Sequence, residues 1–185
     1  CYMSFDSRRP GGHDAYIENI LKQQHGSVLE HVSATFLIWG ISRNLTHEFV
    51  RHRVGWAYSQ LSQRYATNVR FVVHPDIEES DIREECTSAY RKYRELLTRE
   101  GGKKQVRSAA RNVLPGCTET ILTATCNARA LRHFLEKRAA PGADKEIQNL
   151  AVALWTEAKN TVLYPYIKDF VETEPGILTT PYPKV

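Results

Sequence analysis

Two short segments with strand-type patterns stand among longer segments with helical periodicity, and this contrast most constrains the fold. Residues 31–38 carry apolar side chains at every second position, from Val32 to Ile38, which predicts a half-buried strand. Residues 118–125 are rich in β-branched side chains and predict a second strand. The sequence therefore indicates an α+β fold with a small mixed or antiparallel sheet and several long helices.

Turn and capping residues set the expected limits of the helices. Ser42 and Asp144 are typical N-cap residues, and Gly101-Gly102 and Pro115-Gly116 are typical helix ends. Helices are predicted over residues 16–21, 42–53, 76–100, 103–113, 127–137 and 144–163. The polar residues 54–68 predict an ordered functional loop, and the proline-containing residues 164–185 predict an irregular tail. We expect a single domain spanning residues 1–185.

Composition excludes several classes of protein. The 185 residues are 42% hydrophobic and 25% charged with a formal charge of +4, which favours a folded domain over a disordered chain or a general nucleic-acid binder. The longest apolar stretch, residues 36–41, contains Gly40 and is too short to cross a membrane.

Cysteine usage bears on the compartment. The four cysteines form no close-spaced pair, so we expect buried thiols, without a zinc knuckle or a disulfide framework. Together with the lack of a secretory signal pattern, this favours the cytoplasm. The first residue is Cys1 where Met would begin a chain, so we expect a preceding N-terminal piece.

Arginine and histidine are concentrated in two clusters. Arg51-His52-Arg53 precedes a segment of hydroxyl and amide side chains, residues 58–65, and this combination could hold an anionic ligand with directional donors. The alternative is a basic helix end that complements the helix dipole. His47 and His52 are five residues apart where a zinc protease helix needs four, so no metal is expected.

The second cluster lies in the second half of the chain. Its members are Arg111, Asn127, Arg129, His133 and Arg138. A solvated helix face would explain each one singly. If both clusters meet in space, however, converging guanidinium groups would repel one another unless an anion lies between them.

These residues resemble the flavin-dependent thymidylate synthases, the ThyX family. Arg51-His52-Arg53 followed by Ser62 resembles the R-H-R-x7-S signature, and residues 25–31 resemble the upstream H-x-S-x-x-E-H segment. Residues 110–115 and 127–129 resemble the A-R-x-x-L-P and N-x-R blocks. In one respect the chain departs from the pattern, because eight residues, 54–61, stand where the signature has seven.

The resemblance implies an enzyme that methylates C5 of dUMP, giving dTMP. It implies methylenetetrahydrofolate as carbon donor, NADPH as reductant of a bound FAD, and a homotetramer whose active sites are shared between subunits. The implied flavin contacts are Ser27, Arg51, His52, Arg53, Asn127, Arg129 and His133. The implied nucleotide contacts are Glu48, Gln60, Ser62, Gln63, Arg64, Arg111 and Arg138.

Three of these positions are implied to be catalytic. Ser62 and Arg138 match positions that orient and polarise the pyrimidine, and His25 matches a position close to the reacting flavin and folate. Arg64 and Arg111 have the charge to hold a phosphate, and Arg138 could stabilise charge on the ring carbonyls. No cysteine lies in an electropositive motif suited to a nucleophile.

Three alternatives stay open. A divergent member could methylate the ribonucleotide UMP, because the added residue in segment 54–61 could open room near the 2′ position. A non-catalytic nucleotide- or flavin-binding module could keep the fold. An arginine-rich RNA-binding domain ranks last, because aromatic side chains are interleaved only at Tyr58 and Tyr65.

Overall fold

The computed structural model describes residues 11–99, 101 and 103–185. The helices are α1 (Gly12–Lys22), α2 (Arg43–Phe49), α3 (Glu79–Arg99), α4 (Lys104–Ala110), α5 (Ala128–Arg138) and α6 (Lys145–Ala158), with 3-10 turns at Gly26–His31, Arg111–Val113 and Tyr164–Tyr166. The strands are β1 (Ser33–Ser42), β2 (Trp56–Gln60), β3 (Glu119–Asn127), β4 (Val171–Glu174) and β5 (Ile177–Thr179). The expected α+β class is confirmed. Cys1 and the expected N-terminal piece lie outside the described residues.

A three-stranded antiparallel sheet has β3 at its centre. The strand order is β1-β3-β2, with Phe36 opposite Ala124 on one side and Tyr58 opposite Ala124 on the other. The β1–β3 register shifts between Ile38 and Ile41, where Gly40 adopts a left-handed backbone with φ 70°. The bulge prolongs β1 to Ser42, beyond the predicted end at Ile38.

The structure corrects the predicted loop at residues 54–68, because residues 56–60 form strand β2. This segment has too few apolar side chains for a strand pattern of its own. Its backbone pairs with β3, and the hydroxyl of Tyr58 lies 3.0 Å from Phe49 O and 2.8 Å from His52 O. Tertiary pairing thus determines the conformation of β2.

The core lies between one face of the sheet and helices α2, α5 and α6. Phe49, Leu122 and Phe134 are fully buried, and the Phe49 ring lies 4.9 Å from the Phe134 ring, centroid to centroid. Burial of such side chains is the main favourable term in folding. The core fixes α5 against the segment that follows α2, and so brings the two basic clusters together.

The helix caps are those predicted from the sequence, whereas several helices end at other residues than predicted. Ser42 Oγ accepts a hydrogen bond from Leu45 N, and Asp144 Oδ1 accepts from Glu146 N and Ile147 N. Helix α2 ends at Phe49, before Arg51, and α6 ends at Ala158, before the predicted end at residue 163. The last residues of the predicted helix 103–113 form a 3-10 turn.

Residues 164–185, here called the C-terminal segment, are not an irregular tail as expected. They contain a 3-10 turn and the antiparallel hairpin β4–β5. The fully buried Arg132 of α5 organises this segment: it pairs with Asp169 and donates hydrogen bonds to Tyr166 O and Tyr182 O. A buried cation needs such partners, and they lie far away in sequence.

The cysteines of the described part differ in burial. Cys86 and Cys126 are buried and Cys117 is partly buried, with Cys86 Sγ 3.6 Å from Cys117 Sγ. Burial raises the pKa of Cys126 to about 12, and burial together with the neighbouring Cys86 raises the pKa of Cys117 to about 11. Both thiols are therefore protonated at neutral pH and are poor nucleophiles. Within the described ranges no helix has the length and apolarity of a membrane span.

Candidate active site

A cavity of about 920 Å³ opens between the segment that follows α2 and one side of α5, from its N-cap Asn127 to its last residue Arg138. Six of the seven predicted flavin contacts line it: Arg51, His52, Arg53, Asn127, Arg129 and His133. Arg138, predicted to bind and polarise the pyrimidine, lines the same cavity. Apart from Arg111, the two basic clusters of the sequence therefore meet in space.

Arg138 connects the two predicted contact groups. Its Nη1 donates a hydrogen bond of 2.8 Å to Glu48 Oε2, and its Nε donates one of 3.0 Å to His52 Nε2. A guanidinium has only donors, so His52 Nε2 must be the acceptor and the His52 proton lies on Nδ1. Glu48, a predicted nucleotide contact, is thus joined through Arg138 to His52, a predicted flavin contact.

His52 is neutral at physiological pH. Burial, the neighbouring Arg138 guanidinium and the neighbouring His133 lower the pKa of His52 to about 4. Its ring lies 6.1 Å from the His133 ring and packs edge-on against Phe134, centroids 5.0 Å apart. The ring is consequently fixed as a neutral, oriented hydrogen-bonding group on the cavity wall.

Arg129 links the cavity to the turn Gly26–His31. Its Nη1 donates a hydrogen bond of 2.6 Å to Glu30 Oε1, and a Cβ on Gly26 would lie only 2.8 Å from Arg129 Nε. Glycine at position 26 therefore allows the guanidinium to lie directly on the backbone. His25 and Ser27 flank this glycine, outside the residues that line the cavity.

Segment 54–61, which carries the added residue, begins with a tight turn at the cavity. Gly55 has a left-handed backbone with φ 73°, and a Cβ there would lie 2.8 Å from atoms of Asn127 and Ala130. Asn127 N donates to Gly55 O, and Asn127 Oδ1 caps α5 by accepting from Ala130 N. Val54, at the apex, is 90% exposed.

Several cations of the cavity lack a carboxylate partner. In the part of the chain that the structure describes, no ion pair involves the side chains of Arg51, Arg53 or Lys137. Glu30 and Glu48 are already paired with Arg129 and Arg138. The excess positive charge suits an anionic ligand such as a phosphate ester.

The other predicted nucleotide contacts lie elsewhere. Gln60, Ser62, Gln63, Arg64 and Arg111 stand at or beyond the far end of β2, and none of these five lines the cavity formed by the described residues. Gln60 Nε2 donates to Thr46 Oγ1 and Thr120 Oγ1, and Ser62 Oγ accepts from Arg64 N. The described part of the chain thus has two separate groups of polar side chains. The first group lines the cavity, and the second group consists of Gln60, Ser62, Gln63, Arg64 and Arg111.

The second group contains buried donors with unused hydrogen-bonding capacity. Within the described residues, Gln63 Nε2 and Arg43 Nε are buried and have no hydrogen-bond partner. Arg43 donates to Leu61 O, and burial and the nearby Arg111 guanidinium lower the pKa of Arg43. Unsatisfied buried donors are costly, which favours a ligand with acceptor oxygens here.

Sequence reasoning missed several cavity residues. Glu30 lies within the H-x-S-x-x-E-H segment, so that motif contained a usable signal for it. Trp56 stacks on Tyr58 with ring centroids 5.7 Å apart, which depends on the unpredicted β2. Lys137 and Lys184 line the cavity without any local pattern that distinguishes them from surface lysines.

A small antiparallel sheet covered by helices, with a cationic cavity and a neutral, oriented histidine, defines a binding protein for an anionic ligand such as a phosphate ester. Comparison with known sequences makes this class specific. The profile of the Thy1 family, described as "Thymidylate synthase complementing protein", matches residues 1–162.

Similar proteins carry a consistent name. A flavin-dependent thymidylate synthase of Mycolicibacterium vanbaalenii is 44% identical over 172 residues, which cover 82% of this chain and 68% of the relative. The one of Mycobacterium tuberculosis H37Rv is 43% identical over the same shares. The one of Mycobacteroides abscessus is 40% identical over 173 residues, which cover 83% of this chain and 69% of the relative. The chain belongs to the flavin-dependent thymidylate synthase family, a family of methyltransferase enzymes.

Proposed function

We propose that this enzyme methylates C5 of dUMP to give dTMP, with methylenetetrahydrofolate as carbon donor and NADPH as reductant of bound FAD. The observation that carries the proposal is the convergence of Arg51, His52, Asn127, Arg129 and His133 on one cavity. These residues come from distant parts of the sequence, so their meeting is a property of the fold. We place the reaction in the cytoplasm, where unpaired thiols stay reduced.

The cavity has the chemistry that a flavin dinucleotide needs. Its volume of about 920 Å³ lies within the range of small-molecule sites. Arg51 and Arg53 supply cationic donors for phosphates, and Gly26 and Gly55 let the cavity residues Arg129 and Asn127 pack directly against the backbone. The bound flavin supplies hydride chemistry, whereas the protein binds and orients the reactants.

The nucleotide is assigned to the second group of polar side chains together with Arg138. Arg64 and Arg111 provide charge for the phosphate, and Gln63 Nε2 provides a buried donor without a partner. Ser62 and Arg138 would orient and polarise the pyrimidine, since Arg138 can stabilise negative charge on the ring carbonyls. His25, beside the turn that contacts Arg129, is proposed to lie near the flavin and the folate.

We favour dUMP over UMP as the substrate, because segment 54–61 turns at Val54 and Gly55 beside the flavin cavity before β2 begins. Strand β2 then pairs regularly with β3 up to Gln60 opposite Leu122. The segment with Ser62 and Arg64 therefore continues from a regularly paired strand.

A homotetramer with shared active sites fits the separation of the two groups. The sheet face opposite the core exposes large apolar side chains, with Leu37 61% and Trp39 68% exposed. Such a face favours association with another copy of the chain. A copy packed there could bring its own Ser62 and Arg64 to this chain's cavity. Light scattering after size-exclusion chromatography measures the mass of the assembly.

Product formation tests the proposed function. The purified protein is incubated with FAD, NADPH and methylenetetrahydrofolate and with either dUMP or UMP, and the methylated nucleotide is quantified by mass spectrometry. We expect dTMP formation that depends on every component, and much less product from UMP. Methylation of UMP at an equal or higher rate would reject the dUMP assignment, and no methylation of either would reject the proposal.

A further inference from the structure

The C-terminal segment reaches the flavin cavity, although it lies beyond the part of the chain that matches the family profile. The profile match ends at residue 162, yet Lys184 and Val185 line the cavity. The backbone N–H of Lys184 lies against the Glu136 carboxylate of α5, and Glu136 and Lys137 line the same cavity. Val185 is buried, with 4% of its surface exposed. This end of the chain is therefore part of the site.

Two sets of contacts hold the C-terminal segment at the cavity. Arg132, fully buried in α5, pairs with Asp169 across 2.6 Å and donates to Tyr182 O, two residues before Lys184. The Lys184 N–H points at the Glu136 carboxylate, 3.1 Å and 3.2 Å from its two oxygens. The backbone at Lys184 is thus fixed from α5 at two points.

Lys184 has an unfavourable backbone conformation for its residue type. Its φ of 64° lies in the left-handed region, which is unfavourable for a residue with a Cβ. Such strain persists where surrounding contacts over-determine the backbone, as Glu136 and buried Val185 do here. The Lys184 ammonium makes no ion pair with any residue that the structure describes.

We propose that Lys184 is a cationic contact for the diphosphate of a dinucleotide held in this cavity. The inference rests on the proposed function, which places a dinucleotide there. Lys137 and Lys184 stand on the α5 side, whereas Arg51 and Arg53 stand on the side that follows α2. A diphosphate between the two sides would satisfy cations on both. Two dinucleotides of the proposed reaction, FAD and NADPH, carry this group.

Titrations of the intact protein test the assignment. Lys184→Ala, Lys184→Arg and Lys184→Glu are compared with the wild type for binding of FAD, of riboflavin, and of NADP⁺ to the FAD-loaded protein. Lys168→Ala is the matched control, because Lys168 belongs to the same segment but pairs with Asp14 outside the cavity. Far-ultraviolet circular dichroism checks that each variant is folded.

The ligand whose binding is weakened identifies which dinucleotide carries the diphosphate that Lys184 contacts. We expect Lys184→Ala to weaken FAD binding about tenfold, the loss of one charge-assisted hydrogen bond, with riboflavin unchanged. Lys184→Arg should restore binding, and Lys184→Glu should weaken it further. Weakened NADP⁺ binding with unchanged FAD binding would also support the contact and assign it to the pyridine dinucleotide.

Two results would overturn the inference. One is a Lys184→Ala variant that binds both dinucleotides as the Lys168→Ala control does. The other is an equal loss for FAD and riboflavin, because riboflavin has no phosphate. A double variant, Arg51→Ala with Arg53→Ala, separates the two proposals. If the double variant loses FAD while Lys184→Ala binds both dinucleotides normally, only the Lys184 inference fails. If the double variant binds FAD normally, the proposed flavin location fails.

Discussion

The Nε of Arg138 lies 3.0 Å from Nε2 of His52 and donates a hydrogen bond to it. A protonated imidazole could not accept this bond, and it would also place two positive charges in contact. The pair therefore requires the neutral form of His52, in agreement with a pKa that burial, the Arg138 guanidinium and His133 together lower to about 4. Through its second bond to Glu48, Arg138 is fixed at the junction of the two proposed contact groups.

The first prediction concerns stability at acid pH. His52 has a pKa of about 4 in the folded protein and 6.5 as its ordinary value, so the unfolded chain binds a proton between these pH values and the folded protein does not. Stability from this group is present above pH 6.5 and is lost as the pH falls towards 4. We expect a loss of about 1 kcal/mol for this half-buried, solvent-screened group.

Urea unfolding measured between pH 7 and pH 4.5 checks how the free energy of unfolding depends on pH. His52→Gln, which has no titrating group, should reduce this dependence. An NMR titration of the His52 ring with a midpoint near 6.5 would contradict the assignment.

The second prediction concerns Arg138. Replacement by Ala removes the donor to Glu48 and the proposed donor to the pyrimidine, so we expect nucleotide affinity and turnover to fall by about 2–4 kcal/mol. Isothermal titration with dUMP and steady-state kinetics measure the two effects. Arg138→Lys keeps the charge but loses the planar fork, so it should recover only part of the loss. Unchanged nucleotide affinity in Arg138→Ala would show that Arg138 does not bind the pyrimidine.

The third prediction separates strain from steric conflict at the turn beside the cavity. Gly55→Ala must place a Cβ 2.8 Å from Asn127 and Ala130 at a φ of 73°, and we expect it to lower the free energy of unfolding by about 2–4 kcal/mol. Gly40→Ala is the matched control, because Gly40 has a similar φ of 70° and no atom within 4 Å of the added Cβ. It should cost about 1 kcal/mol.

Urea denaturation and FAD titration of both variants give the comparison. Because Asn127 borders the cavity, Gly55→Ala should also weaken FAD binding, and Gly40→Ala should not. Equal losses of stability in the two variants would mean that the contact with Asn127 contributes nothing.

The fourth prediction concerns the buried cation of α5. Asp169→Asn leaves Arg132 buried without its counter-charge, which we expect to destabilise the protein by about 3–5 kcal/mol. Arg83→Met breaks the exposed pair with Glu79 and should cost less than about 0.5 kcal/mol. Thermal unfolding measures both. A small effect of Asp169→Asn would mean that the backbone carbonyls of Tyr166 and Tyr182 alone can satisfy Arg132.

Local signals in the sequence predict most elements correctly. The elements that are predicted wrongly depend on contacts between residues far apart in the sequence. Ser42 and Asp144 cap helices as predicted because a cap involves neighbours within three residues. Strand β2 was missed because its conformation depends on pairing with β3, about 60 positions later. The order in the C-terminal segment depends on Arg132, which belongs to α5 and not to that segment.

The candidate site shows the same division. The motif match names Arg51, His52 and Arg138, and the structure brings them to one cavity. No pattern in the sequence could connect Lys184 with them, since its position depends on the hydrogen bond to Glu136 and on the path of the preceding hairpin. The motif residues of the cavity can thus be predicted from the sequence, whereas the other residues that line it can be identified only from the folded structure.

The position of β3 at the centre of the sheet has a consequence for biosynthesis. Both of its neighbours, β1 and β2, precede it in the chain, and neither is paired with the other. During synthesis the backbone groups of β1 and β2 that pair with β3 stay unpaired until residue 127 has emerged from the ribosome. Unpaired strand edges promote aggregation of nascent chains. A chain whose translation ends prematurely between residues 60 and 119 would therefore have β1 and β2 without β3, and chaperones would have to bind it or proteases degrade it.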